Sequence, residues 1–294
     1  MHPAARLLAG TAAAGVAGLA YAYWEAQAYT LRRATAPVLP PGQPDLRILH
    51  LSDLHLVPGQ KRKQEWVGSL RALHPDAVVV TGDFMSHPDA VPHVLETLDP
   101  LFDLPGAFVL GSNDYYAPRP INWARYLKGP SQLEPHRPML PWGDLVDGLT
   151  TNGWLDLGNA RATMKIDGRE VDVRGVDDPH IARDRYSDIA GPFDSDADLA
   201  IGVSHAPYLR ILDAMAADGA DLILAGHTHG GQLCVPGVGA LVTNCDLPRR
   251  QAKGLSQHDG TALHVSAGLG TSPYAPVRFA CRPEATLLTL STRT

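Results

Sequence analysis

The chain has 294 residues, 45% of them apolar and 19% charged, the composition of an ordinary globular protein with a core of ample size. Its net charge of −6 gives no basic footprint, so nucleic acid is not expected as a partner. The three cysteines, Cys234, Cys245 and Cys281, form no CxxC pair and no disulfide framework. They read as reduced thiols, with a single Cys234–Cys245 bridge as the other option.

Leu7 to Trp24 carries no charge, is rich in Ala and Gly, and would span about 27 Å as a helix. Tyr21, Tyr23 and Trp24 cluster at its end as in an interfacial belt, with Arg32 and Arg33 beyond. Residues 1–30 are therefore expected to be a single-pass membrane anchor. The alternative is a signal segment cleaved after Ala26-Gln27-Ala28 and export of the remainder. Residues 31–45, with Pro37, Pro40, Pro41 and Pro44, read as a stiff extended linker, leaving 46–294 as the domain.

Within 46–294 the pattern predicts strands at 46–51, 77–80, 107–110, 170–176, 199–203, 222–225, 263–266 and 286–290. Helices are predicted at 64–73, 91–98 and 208–217, and the Pro- and Trp-rich stretch 117–148 reads as a long covering loop with short helical pieces. Strand and helix alternate early and strands dominate late. The expected fold is α/β: two sheets packed face to face with helices outside, an α/β/β/α sandwich. Lys61-Arg62-Lys63 and Arg249-Arg250 read as solvated surface, with a phosphate or headgroup contact as the lesser option.

The informative pieces stand at strand ends: Asp53-Leu54-His55, Gly82-Asp83, Gly111-Ser112-Asn113-Asp114, Ser204-His205 and Gly226-His227-Thr228-His229. Each piece alone is weak. Five in this order bring carboxylate and imidazole donors to the carboxyl edge of a sheet, where α/β sites lie. Such donors suit Mn, Fe or Zn. Asp53/His55 and His227/His229 share an i, i+2 spacing that lets both side chains face one ion, and Asp83 is suited to bridge two. His50, His74, His87, His93, His136, His180, His258 and His264 lack such a setting and read as surface or structural.

At this point the chain resembles the calcineurin-like metallophosphoesterases, from about Leu46 to Leu290. It looks closest to the membrane-associated or exported bacterial branch of YaeI- and YkuE-like phosphodiesterases. The resemblance rests on Ile-Leu-His-Leu-Ser-Asp-Leu-His (48–55), Val-Val-Thr-Gly-Asp (79–83) and Leu-Ala-Gly-His-Thr-His-Gly-Gly-Gln (224–232). Pro-Val-Arg-Phe (276–279) and Pro-Glu (283–284) add to it. It implies one metal held by Asp53, His55, Asp83 and His229, and a second held by Asp83, an asparagine, His205 and His227.

The asparagine belongs to a Gly-Asn-His-Asp/Glu motif that here reads Gly111-Ser112-Asn113-Asp114. Strict register puts Ser112 in its place, and a one-residue shift would bring Asn113 to the metal, with Asp114 orienting the loop. The motif's histidine, which assists the leaving group, is missing, and asparagine cannot transfer a proton at neutral pH. The implied function is a dinuclear metal-dependent phosphoesterase using a metal-bridging hydroxide on a phosphodiester or pyrophosphate, plausibly lipid-linked or of the cell envelope. The alternative is a weakly catalytic or non-catalytic metal- or phosphate-binding protein on the same fold. A closed mononuclear zinc site has no use for so many carboxylate and histidine donors.

Overall fold

The computed structural model describes residues 3–120 and 137–293, with side chains described from Thr11 onward. Helix α1 (Pro3–Glu25) leads directly into strand β1 (Thr30–Leu39). Then follow β2 (Leu46–Leu51), α2 (Lys61–Ser69), β3 (Ala77–Thr81), α3 (Val91–Leu98), β4 (Gly106–Val109) and the single turn α4 (Ser112–Tyr115). The middle of the chain gives α5 (Trp142–Thr151), β5 (Leu155–Asp156), β6 (Ala160–Ile166), β7 (Arg169–Gly175) and β8 (Leu199–Ser204). The rest is α6 (Leu209–Ala217), β9 (Leu222–Ala225), β10 (Cys234–Val235), β11 (Gly239–Ala240), β12 (Gly254–His258), β13 (Thr261–Val265) and β14 (Glu284–Thr292).

Two six-stranded mixed sheets result, in the orders β1-β14-β2-β3-β4-β5 and β12-β13-β9-β8-β7-β6. Their inner faces meet through Ile48, Val79 and Val109 on one side and Val173, Ile201 and Leu224 on the other. The outer face of the first sheet buries Leu49, Val78 and Val80 against α2, α3 and α5. The outer face of the second buries Ile223 and Val265 against Ile211 and Met215 of α6. Near-continuous apolar strands such as Ala-Val-Val-Val (77–80) are what a sheet covered on both faces requires.

Two expectations need correction. Residues 31–45 are not a free linker, because β1 pairs in parallel with β14 from Thr30↔Glu284 to Leu39↔Thr292. β1 is an edge strand, and its register shifts between Pro37 and Leu39, so Pro37 removes no donor that the ladder needs. α1 forms, yet among the described residues no helix is both long and apolar enough to cross a membrane. Its Ala- and Gly-rich composition gives helix length without sufficient hydropathy. Its last turn instead docks on the domain: Ala22 is buried, and buried Glu25 accepts from the N–H groups of Ala280 and Cys281, each at 3.0 Å. The covering segment 117–148 holds one helical piece, the start of α5, as expected, while residues 121–136, His136 among them, lie outside the described residues. All three cysteines are free thiols.

Candidate metal centre

The strand ends of both sheets converge on one buried cluster. Asp53 and His55 follow β2, Asp83 follows β3, His205 follows β8, and His227 and His229 follow β9. Asp53, His55, Asp83, His227 and His229 all have positive φ, between 43° and 67°. The backbone turns back at each strand end to aim the side chain inward. Asp and His tolerate this region better than most residues, but each position still costs about 1–3 kcal/mol. Gly82 and Gly111 make the convergence possible: a Cβ on Gly82 would lie 2.7 Å from the Gly111 nitrogen and 2.8 Å from His205 Nδ1.

Four donors face one another. The ligand atoms of Asp53, His55, Asp83 and His229 all lie within 4.8 Å of one another. His55 Nε2 is 3.4 Å from Asp83 Oδ2, and His229 Nε2 is 3.5 Å from Asp53 Oδ1. Beyond these four, His205 Nε2 also stands 3.4 Å from Asp83 Oδ2, with His227 packed against His205 at 5.1 Å between ring centres.

The outward nitrogens are fixed by the surrounding structure. His205 Nδ1 donates to the Thr81 carbonyl at 2.6 Å, His55 Nδ1 meets Ser86 Oγ at 2.8 Å, and His227 Nε2 meets the Asn244 carbonyl at 3.2 Å. Each bond leaves the opposite nitrogen for the centre, which is how ligating histidines are commonly held. Asp53 Oδ1 and His205 Nε2 are buried without any hydrogen-bond partner. Orphaned polar atoms of this kind, set against a carboxylate, fit a cation between them.

The electrostatics say the same. Burial opposes charge on His205, yet the Asp83 carboxylate, with Asp178 and Asp53 behind it, raises its pKa well above the ordinary value. Burial likewise opposes ionisation of Asp83, but His205, His55 and the Asn113 amide hold it well below the usual carboxylate range. Asp53 is pushed up to about 6, first by burial. Burial also keeps His227 and His229 well below the normal imidazole range and His55 at about 4, so these three are neutral donors at neutral pH. The cavity demands positive charge and holds neutral imidazoles ready for it.

The loop after β4 carries the departed motif. Ser112 is buried at the start of α4, whereas Asn113 reaches Asp83 through its backbone N–H (2.9 Å to Oδ1) and its side-chain amide (2.8 Å to Oδ2). Asp114 accepts from Asp83, Phe84, Met85 and Gly111 N–H groups at 2.7–3.2 Å. Burial, then the Asp83 charge, push its carboxyl up toward about 8. The four N–H groups, two on each oxygen, act against this and leave no oxygen free to carry a proton.

Several residues at the site escape a reading by motif. Lys63, expected in solvent, is buried and donates to the Leu54 carbonyl between Asp53 and His55 at 2.7 Å. Fully buried Arg278 lies 3.2 Å from His229 Nδ1 and donates to the Gly268 and Gly270 carbonyls. His180 stacks 4.5 Å from His227, and Asp178 is fully buried with one unpartnered oxygen. His50 and His264, buried between the sheets, start a directed relay. His264 Nδ1 meets His50 Nδ1, His50 Nε2 donates to Thr81 Oγ1, Thr81 to Ser52 Oγ, and Ser52 to Asp53 Oδ2, at 2.6–2.9 Å. Asp178 and His180 directly follow a predicted strand and could have been found on that ground. Nothing in the sequence pairs His50 with His264.

A family model described as calcineurin-like phosphoesterase matches residues 46–231. The metallophosphoesterase YkoQ of Bacillus subtilis is 29% identical over 252 residues, covering 84% of each chain. The phosphodiesterase YaeI of Escherichia coli is 43% identical over 70 residues, 24% of this chain and 25% of that one. Among solved structures, an archaeal phosphodiesterase superposes with a TM-score of 0.39 at 12% identity, covering 76% of this chain and 84% of that one.

Proposed function

The chain belongs to the calcineurin-like phosphoesterase family and is a metal-dependent phosphoric ester hydrolase, and on that premise we propose a dinuclear enzyme for phosphodiesters or pyrophosphates. Asp53, His55, Asp83 and His229 would hold one divalent ion, of Mn, Fe or Zn type. Asp83, Asn113, His205 and His227 would hold the other. When bound, such a pair supplies Lewis acidity for the phosphoryl group and an activated water as nucleophile. The observation that carries this reading is the pair of orphaned, buried donor atoms: Asp53 Oδ1, 3.5 Å from His229 Nε2, and His205 Nε2, 3.4 Å from Asp83 Oδ2.

The rest of the chemistry falls to the protein. Asn113 presents an amide at Asp83, the shared carboxylate, and can donate a hydrogen bond to a phosphoryl oxygen but no proton. Asp114 fixes the loop that carries it. A site of this kind favours leaving groups that depart without protonation, such as a phosphate or an aryloxide. Lipid-linked or cell-envelope pyrophosphates and aryl phosphodiesters fall in this class, and residues 11–21 of α1, exposed and without charge, support a substrate presented from a lipid surface.

The test is turnover of bis(4-nitrophenyl) phosphate by metal-stripped protein after return of Mn, Fe or Zn, with bound metal counted per chain and Asp83→Asn as control. Metal-dependent turnover with two ions, lost in Asp83→Asn, is expected. Absence of turnover with every metal, alongside one ion per chain, would overturn the dinuclear reading.

A further inference from the structure

Eleven of the thirteen exposed large apolar side chains among the described residues lie on three adjoining segments, and only Met139 and Leu255 lie elsewhere. The segments are the second half of α1, the β10–β11 hairpin with its flanks, and the loop around Tyr274 and Phe279. They form one surface. The Tyr21 ring packs edge-on against Phe279 at 5.6 Å, Leu233 bridges to Phe279, and the Gln232 amide donates to the Ala275 and Val277 carbonyls. Val238, at the hairpin tip, is 75% exposed. Apolar area gathered in this way marks an interaction face.

The charge pattern selects the partner. Residues 232–245 contain no charged side chain, and 267–281 contain only Arg278, which is buried. The exposed charges flanking these stretches are Arg249, Arg250, Lys253 and Arg282. Arg249 donates to the Leu241 carbonyl, and Arg282 stands over the Trp24 ring at 5.6 Å. The one exposed acid there, Asp246, is engaged by the Leu209 N–H on α6. A cationic rim on a chain of net charge −6 complements an anionic surface. A second copy meeting this face about a two-fold axis would bring like charges together. Aromatic Tyr and Trp at the edge of an apolar patch, ringed by Arg and Lys, are the chemistry of a lipid headgroup boundary.

We propose that this surface seats the protein on an anionic lipid bilayer as a peripheral, interfacial attachment, with the hairpin tip and the Phe279 loop entering beside α1. Residues 11–20 of α1 are exposed on every side, so they add apolar contact without having to span. Leu233 follows His229 by four residues, and Arg278, which precedes Phe279, contacts the His229 ring. Docking therefore sets the metal centre at the lipid surface, where a headgroup phosphoester is the substrate presented. The hydrolysis rests on the phosphoesterase reading; the attachment does not.

The experiment is flotation of the full chain with vesicles of phosphatidylcholine alone or with phosphatidylglycerol, together with turnover of a soluble aryl phosphodiester. Binding to the anionic vesicles that weakens with salt is expected. The double variant Val238→Asp/Leu241→Asp should lower it at least tenfold, Arg249→Glu/Arg250→Glu should remove the preference for anionic lipid, and Met139→Asp should leave it unchanged. Unchanged soluble turnover in each variant reports an intact fold. Equal binding by the hairpin variant and the parent would overturn the proposal. So would a dimer in light scattering that Val238→Asp/Leu241→Asp dissolves while vesicles capture nothing. Loss of turnover in the parent with vesicle binding intact would count against the enzyme reading alone.

Discussion

The Asn113 side-chain amide donates to Asp83 Oδ2 at 2.8 Å, on the carboxylate that also faces His55 and His205. A single residue thus touches the group both metal positions would share. Removal of the amide in Asn113→Ala should weaken retention of one metal ion while sparing the other, and lower turnover by about 10–100-fold. Equilibrium dialysis with metal counting reads the first effect, and two equally tight ions in the variant would refute it. Asn113→His supplies the missing proton donor and should raise turnover of alkyl phosphomonoesters relative to activated diesters.

Asp114 tests the loop rather than the centre. In Asp114→Asn one carboxylate oxygen becomes an NH2 group facing two backbone N–H donors. About 1–3 kcal/mol of stability should be lost, because those donors stay buried without an acceptor. Denaturant unfolding of the variant within error of the parent would show that the loop has another anchor.

His50 and His264 set an acid limit on stability. Burial is the leading cause for both: His264 sits at about 4 and His50 well below its ordinary value, so the folded state keeps both neutral. Both folded values lie below the unfolded one, so their contribution is complete above pH ~6.5. It is lost as pH falls toward 4, because the unfolded chain takes up the proton first. For His264 the shift from 6.5 to about 4 corresponds to roughly 3 kcal/mol. The unfolding midpoint should fall across this window in the parent and fall less in His264→Asn. Parallel curves for the two proteins would exclude the pair as the cause.

Arg278 joins α1 to the centre. Its backbone N–H donates to the Ala22 carbonyl at 2.9 Å, and its guanidinium donates to the Gly268 and Gly270 carbonyls beside His229. Arg278→Met should destabilise the fold by about 3 kcal/mol or more, since several buried carbonyls lose a charged donor together, while the backbone bond to α1 is kept; a denaturant midpoint equal to the parent's would refute this. Limited proteolysis between α1 and β1 should accelerate in Glu25→Ala, which unbinds the Ala280 and Cys281 N–H groups. Equal cleavage rates would show that α1 is held by other contacts.

The layers and the strand ends were readable because each strand carries its own signal. Ala-Val-Val-Val before Thr81-Gly82-Asp83 is complete within seven residues, and the same holds for Leu-Ile-Leu-Ala before Gly226-His227. Contacts whose partners are distant in sequence were not readable. β1 is recognised only by β14, so its prolines read as a linker. Lys63 sits in a run of three basic residues, and only the tertiary fold turns one of them inward. His50 meets His264 across two sheets, where no local pattern can announce it. Asn113 was expected at the centre, but that its amide would face Asp83, 30 residues earlier, could not be read.

The pairing of β1 with β14 spans 252 residues between Arg32 and Glu284. Loop closure of that length is entropically costly and slow compared with local contacts. β14 lies between β1 and β2, so the first sheet stays split until its latest strand arrives. During that interval β2 offers an open hydrogen-bonding edge to any neighbouring chain. Folding yield should therefore fall steeply with protein concentration, and the tendency to aggregate belongs to the order in which this sheet is assembled rather than to the finished molecule.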